Sequence, residues 1–238
     1  MGKKEIILII VFGLITFLVI HFNNDDETIV LDSSLNNVNE QTKEEVVNTP
    51  EEIITNLQSE YNNKDIKAEL RIKGTDFKTP IPQSTDNNYY YRRLPNKSHS
   101  IIGSTYLDYR TKLNQGRVLI IYGHNSSKYN MPFKILENYY NKDYYDEHKY
   151  IEIVTVSGIK TYEVFSVYVE TSDFSYYTDI EFENNDDFLK HIKKLKEKSF
   201  YDTDVSLNKD DNILILQACS THKKYQKYEH KFSSVNMA

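Results

Sequence analysis

One sulfur and a few imidazoles are the groups in this chain best suited to breaking a covalent bond. Cys219 is the only cysteine in 238 residues, so no intramolecular disulfide can form and a cysteine-rich metal site is excluded. It closes the apolar run Ile213-Leu214-Ile215-Leu216-Gln217-Ala218 and precedes the polar Ser220-Thr221-His222, the pattern of a strand leaving a core for a loop. A thiolate is a strong nucleophile that forms acyl intermediates, and a rigid strand end is a good place to hold one. The competing reading is a core cysteine acting as a small hydrophobe.

His124 has a parallel setting. Val118-Leu119-Ile120-Ile121-Tyr122 reads as a buried strand, and Gly123-His124-Asn125 is its exit into a loop. Taken singly, a histidine there is more often a hydrogen-bonded structural residue. Taken with Cys219, it makes a nucleophile and acid/base pair. Of the other histidines, His21 lies at the edge of an apolar segment, His191 on a charged helix, and His99 and His148 in polar stretches. Cys219-x-x-His222 offers two metal ligands, which alone make a poor site.

The elements that must bring these residues together are mostly strands. Short apolar or alternating stretches, separated by turn-forming residues, run AELRI, DFKTPIP, STYLDY, RVLIIYGH, YIEIVTV, KTYEVFSVYVE and NILILQAC, a pattern that predicts a β-barrel or sandwich. Twenty Tyr and no Trp accompany them. An amphipathic helix interrupts the series late, with Phe188, Leu189, Ile192 and Leu195 at helical spacing. Another opens the domain at Thr49-Pro50-Glu51-Glu52, which combines an N-cap, a proline at the first helical position and a capping-box glutamate. There is no internal repeat and no glycine-rich phosphate loop. The net charge of −6 supplies no basic field for nucleic acid, which is excluded as a partner.

The N-terminal region carries a different signal. Ile6 to Phe22 is apolar apart from Gly13, Thr16 and His21, follows Lys3 and Lys4, and precedes Asp25, Asp26 and Glu27. That charge order predicts a signal anchor with a cytoplasmic N-terminus, and the segment after it lacks a small-x-small cleavage site. The expected organisation is a cytoplasmic stretch at 1–4, a single membrane span at 5–22, an extracytoplasmic polar stalk at 23–48 and a catalytic domain at 49–238.

Tyr106-Leu107-Asp108-Tyr109-Arg110, followed by Tyr122-Gly123-His124-Asn125, resembles the signature of class B sortases in both order and spacing. Leu70 to Asp76 and Asp86-Asn87-Asn88-Tyr89-Tyr90 are similar to that family's opening strand-turn and its Asn-x-Tyr-Tyr segment, and the late helix sits where class B members carry an inserted one. The resemblance covers roughly residues 50 to 222. It implies a mainly β fold: a sortase-type eight-stranded β-barrel with an N-terminal helix and an inserted helix before the cysteine strand. It further implies a cysteine transpeptidase that cuts the C-terminal sorting signal of secreted proteins after its Thr, forms a thioester at Cys219, and passes the acyl group to an amine on a peptidoglycan precursor. No cofactor and no metal are implied.

The chain departs from the family in two places. Ala218 stands where members usually have Thr, and no Arg follows Arg117, although sortases place one beyond the cysteine at the start of a last apolar strand. Lys231-Phe232 most resembles that start, and Lys227 is the other candidate. Lysine supplies charge without the planar fork of arginine, and loss of an oxyanion donor costs about two to three orders of magnitude in rate. The plainer reading of Lys223, Lys224, Lys227 and Lys231 is a solvated basic tail. Ser233 to Ala238 reads as a poor closing strand, which leaves an altered C-terminus open. The alternatives to an active enzyme are a catalytically impaired sortase-like domain that binds sorting-signal or wall peptides, and an anchored cysteine peptidase of another fold.

Overall fold

The computed structural model describes residues 48–171, 179–225 and 231–238. It opens with helix α1 (Pro50–Glu60), whose start is fixed as the sequence predicts. The Thr49 hydroxyl accepts from the Glu52 amide at 3.3 Å, and the Glu52 carboxylate accepts from the Thr49 amide at 2.7 Å. Ile54 is the residue this helix buries most deeply.

Eight strands follow: β1 (Ile66–Ile72), β2 (Lys78–Pro82), β3 (Tyr106–Leu107), β4 (Val118–Gly123), β5 (Tyr150–Thr155), β6 (Gly158–Thr171), β7 (Ile213–Cys219) and β8 (Lys231–Met237). Their order across the sheet is β2-β1-β5-β6-β8-β7-β4-β3. The sheet curls into a nearly closed barrel. Its outermost strands meet where Thr79 and Thr105 share a hydroxyl hydrogen bond of 2.9 Å and the Thr105 hydroxyl donates to the Pro80 carbonyl at 3.2 Å. The long strand β6 pairs with β5 along its first half and with β8 along its second, with an irregularity between Val164 and Ser166.

β4 and β7 are parallel neighbours, and their sequences show why. Leu119, Ile121, Leu214 and Leu216 point into the barrel core, whereas Val118, Ile120, Ile213 and Ile215 join a second apolar cluster with Phe188, Ile192 and Leu195. Those three belong to the inserted helix α3 (Asn185–Glu197), which follows the short helix α2 (Lys142–Glu147) in the chain. Strands covered on both faces need continuous apolar runs rather than alternation, which is what both segments display. Asn184 caps α3 by accepting from the Asp187 amide at 3.0 Å. Arg117 ties the helix to the start of β4, donating to Asn185 at 2.9 Å and lying 3.6 Å above the Phe188 ring centroid.

One expectation is corrected. Ser233 to Met237 is no weak tail: it is the greater part of β8, a central strand hydrogen-bonded to β6 on one side and β7 on the other. The membrane span and stalk expected at residues 5–48 fall almost wholly outside the described residues. Among the described residues no helix is long and apolar enough to cross a membrane.

Candidate active site

The parallel pairing of β4 with β7 runs from Val118 opposite Ile213 to Gly123 opposite Ala218. His124 and Cys219 each stand one residue beyond that last pair. Two segments almost a hundred residues apart in sequence therefore leave the barrel side by side, and both side chains line one cleft of about 180 Å³, with Tyr91, Tyr106, Tyr122 and Gln217 among its walls. Ile213 through Ala218 are buried and Cys219 is exposed, so the sulfur is not a core side chain.

His124 is half-buried, and its Nε2 lies 2.6 Å from the Tyr91 carbonyl oxygen. A carbonyl only accepts, so Nε2 carries a hydrogen and Nδ1 is the ring nitrogen left for other partners. The Tyr91 ring packs on the imidazole at 4.4 Å between centroids. Two glycines make this arrangement possible. Gly103 has a φ of +61°, and a Cβ there would come within 2.5 Å of the Tyr91 carbonyl oxygen and 2.7 Å of His124 Cδ2. At Gly123 a Cβ would meet the Phe133 ring at 2.5 Å.

The Tyr-x-Asp-Tyr-Arg segment contributes Tyr106 to the cleft and braces Tyr122 from behind through Asp108. The fully buried Asp108 carboxylate accepts from Arg110 Nε at 3.0 Å, Arg110 Nη2 at 2.8 Å, the Tyr122 hydroxyl at 3.0 Å and Asn87 Nδ2 at 3.2 Å. Burial opposes its ionisation, but the Arg110 side-chain and backbone hydrogen bonds outweigh that penalty and hold the carboxyl below the usual carboxylate range. Asn87 also accepts from the Tyr109 amide at 3.1 Å, so the upstream Asn-x-Tyr-Tyr segment and the Asp-Tyr-Arg segment lock together. Tyr122, held at its hydroxyl, packs against Tyr106 at 5.6 Å between centroids. Burial raises the Tyr106 phenol above its ordinary range, with Tyr91, Asp108 and Cys219 adding to the effect.

The remaining candidates lie as follows. Lys231 opens β8, where the next residue, Phe232, is the cross-strand partner of Cys219, and Ser233 faces Ala218. Lys227 lies outside the described residues. Lys223 and Lys224 are exposed. The His222 ring packs against Tyr140 at 5.0 Å, and among the described residues no cluster of His, Cys, Asp or Glu could hold a metal ion. His191 belongs to the buried face of α3 rather than its charged face, and burial lowers its pKa to about 4. Sequence reasoning did not single out Tyr91, Gly103, Gln217 or Glu137. Gln217 carried a usable signal as the one polar residue inside an apolar strand. Tyr91 holds His124 through its backbone carbonyl as well as its ring, and a main-chain contact leaves no trace in residue type.

The family model described as the sortase domain matches residues 70–233. The chain is 38% identical over 168 residues to sortase B of Listeria monocytogenes, covering 69% of this chain and 67% of that one. It is 32% identical over 158 residues to sortase B of Staphylococcus aureus, covering 66% and 64%. The fold superposes on the Staphylococcus aureus sortase B–substrate complex with a TM-score of 0.69 at 30% identity, covering 77% of this chain and 82% of that one. With the family model and both relatives in agreement, the chain belongs to the sortase family, as a member of its class B.

Proposed function

We propose that this protein is a cysteine transpeptidase that joins secreted proteins to the cell wall, with Cys219 as nucleophile and His124 as proton donor and acceptor. The observation that carries this reading is the register of β4 and β7, which delivers a sulfur and an imidazole from adjacent parallel strands into one cleft. The Cys219 thiolate attacks the carbonyl carbon of the Thr in a C-terminal sorting signal. The C–N bond breaks, and His124 Nδ1 gives its proton to the departing amine, leaving a thioester. An amine of a peptidoglycan precursor then attacks the thioester, transfers its proton to the imidazole and releases the thiolate. The Nε2–H bond to the Tyr91 carbonyl holds the ring with Nδ1 as the working nitrogen throughout both steps.

The oxyanion formed in each step needs a positive or hydrogen-bonding partner. Lys231, at the start of β8 beside the strand partner of Cys219, is our candidate for the charge that arginine supplies in other sortases. The N-terminal Lys3-Lys4 and apolar Ile6–Phe22 support an anchor that holds the domain outside the membrane, where both the sorting signal and the wall precursor are found.

A second reading is a domain that binds these peptides without turnover, motivated by the absence of any arginine after Arg117. A quenched fluorescent sorting-signal peptide with an added amine separates the two. Cys219-dependent cleavage yielding an amide-linked product supports the transpeptidase. Peptide binding with no cleavage selects the binding domain, and hydrolysis indifferent to amine points to a simple peptidase.

A further inference from the structure

Beyond Gly123 and Ala218 the strands carrying His124 and Cys219 no longer pair with each other, and the last strand pairing on the cysteine side is that of Cys219 with Phe232 of β8. Something else must hold the two loops at a fixed distance. The segment Pro132–Tyr140, a run of 3-10 helix, bonds to both. It is fastened to the histidine loop at its start, where the Phe133 amide donates to the His124 carbonyl at 3.3 Å and the Phe133 ring fills the space left by Gly123. Near its end, the half-buried Glu137 places one oxygen, Oε1, between the loops. That oxygen accepts from Asn125 Nδ2 at 2.8 Å, from the Thr221 amide at 2.9 Å and from the Thr221 hydroxyl at 2.5 Å. Asn125 is the residue after His124, and Thr221 is two beyond Cys219. Tyr140 continues the contact on the cysteine side, its hydroxyl bonding to Ser220 and to Ser233 of β8.

Resting on the assignment of His124 and Cys219 as the reacting pair, we infer that Glu137 is a positioning residue that sets the spacing of imidazole and thiol by tying their two loops to a single carboxylate oxygen. It touches neither reacting group and acts only through Asn125 and Thr221. Hydrogen bonds to a charged acceptor are shorter and stronger than neutral ones, and three donors converging on one oxygen from two loops resist the separation of those loops. A glutamine can keep an amide oxygen in the place of Oε1, whereas an alanine leaves Asn125 and Thr221 with no shared partner.

The test uses the full-length chain, a fluorescent sorting-signal peptide and an amine acceptor, with Glu137→Ala, Glu137→Gln, His124→Ala and Cys219→Ala compared. Glu137→Ala should lower kcat by about tenfold or more, since a misplacement near 1 Å costs about a hundredfold, with KM little changed. Glu137→Gln should stay within about threefold of the parent. The pH dependence of Cys219 alkylation by iodoacetamide should shift in Glu137→Ala toward that of His124→Ala, a change that a purely structural role would not produce. Wild-type kcat and an unshifted alkylation profile in Glu137→Ala, with Cys219→Ala and His124→Ala inactive, overturn the inference and leave the proposed function standing. Full activity in Cys219→Ala overturns the proposed function instead. If Glu137→Ala does not fold, Asn125→Ala and Thr221→Val decide. Losses in kcat that combine to less than their product support one shared tie, and losses that multiply overturn it.

Discussion

Replacing Gly103 with alanine should separate the seating of His124 from general stability. At φ +61° an alanine carries a backbone penalty of about 1 kcal/mol. Its Cβ would also lie 2.5 Å from the Tyr91 carbonyl oxygen and 2.7 Å from His124 Cδ2, against ordinary carbon contacts of about 3.5 Å or more. The imidazole must then move by nearly 1 Å, or the Tyr91 carbonyl must retreat and give up its 2.6 Å bond to Nε2, a further loss of about 1 kcal/mol. Together these lower stability by about 2–3 kcal/mol, a fall in Tm of about 5–10 °C for a domain of this size. Peptide turnover should fall by about a hundredfold. Gly116 is the control: its φ is +79°, and a Cβ there meets nothing within 4 Å. Gly116→Ala should show the backbone penalty alone, with kcat/KM unchanged. Thermal denaturation and steady-state kinetics on the two variants, side by side, read both effects. Equal kinetic behaviour in the two, or full turnover in Gly103→Ala, refutes the claim that Gly103 seats the histidine.

Further outcomes follow from the same geometry. Arg110→Ala leaves the fully buried Asp108 carboxylate without its cation and should cost about 3–5 kcal/mol in urea denaturation at pH 7; a loss under about 1 kcal/mol would contradict the burial argument. Because the folded-state pKa of Asp108 is lowered, its contribution is complete above the ordinary value of 3.8 and is lost as pH falls through the folded value, so the gap to Arg110→Ala should narrow in acid. Burial holds His191 near pKa 4, so below pH 6.5 the unfolded chain takes up a proton that the folded chain refuses. Stability should therefore decline from pH 6.5 toward 4, and Tm measured across that range should decline less in His191→Leu. If Lys231 serves the oxyanion, Lys231→Ala should lower kcat/KM by about tenfold or more and Lys231→Arg should raise it; two variants indistinguishable from the parent would send the search elsewhere.

The parts of the fold that were legible in sequence are those where burial leaves a periodic trace. Val118–Ile121 and Ile213–Leu216 announced themselves because α3 covers their outer faces and the barrel core their inner ones. The caps of α1 and α3 were legible through Thr49 and the acidic residues after Asn184. β8 was not, because Ser233, Ser234 and Asn236 are poor strand formers, yet they are 1%, 3% and 0% exposed. Backbone pairing on both sides overrides their propensity, and small polar side chains fit where Tyr140 approaches. Within the site, the strand exits pointed to Cys219 and His124 as a pair. Their adjacency depended on β4 and β7 being parallel neighbours, a long-range fact that local periodicity does not encode. Gly103, Tyr91 and Glu137 were invisible for the same reason: each acts through space on a residue more than ten positions away, by a missing Cβ, a main-chain carbonyl or a single carboxylate oxygen.

The most direct measurement is intact-protein mass spectrometry of the full-length chain incubated with a sorting-signal peptide and no amine acceptor. The acyl-enzyme mechanism requires a mass increase equal to the peptide fragment ending at its Thr less one water, located at Cys219, discharged on adding the amine and absent in Cys219→Ala. Peptide cleavage with no adduct at Cys219, or cleavage that persists in Cys219→Ala, would contradict it.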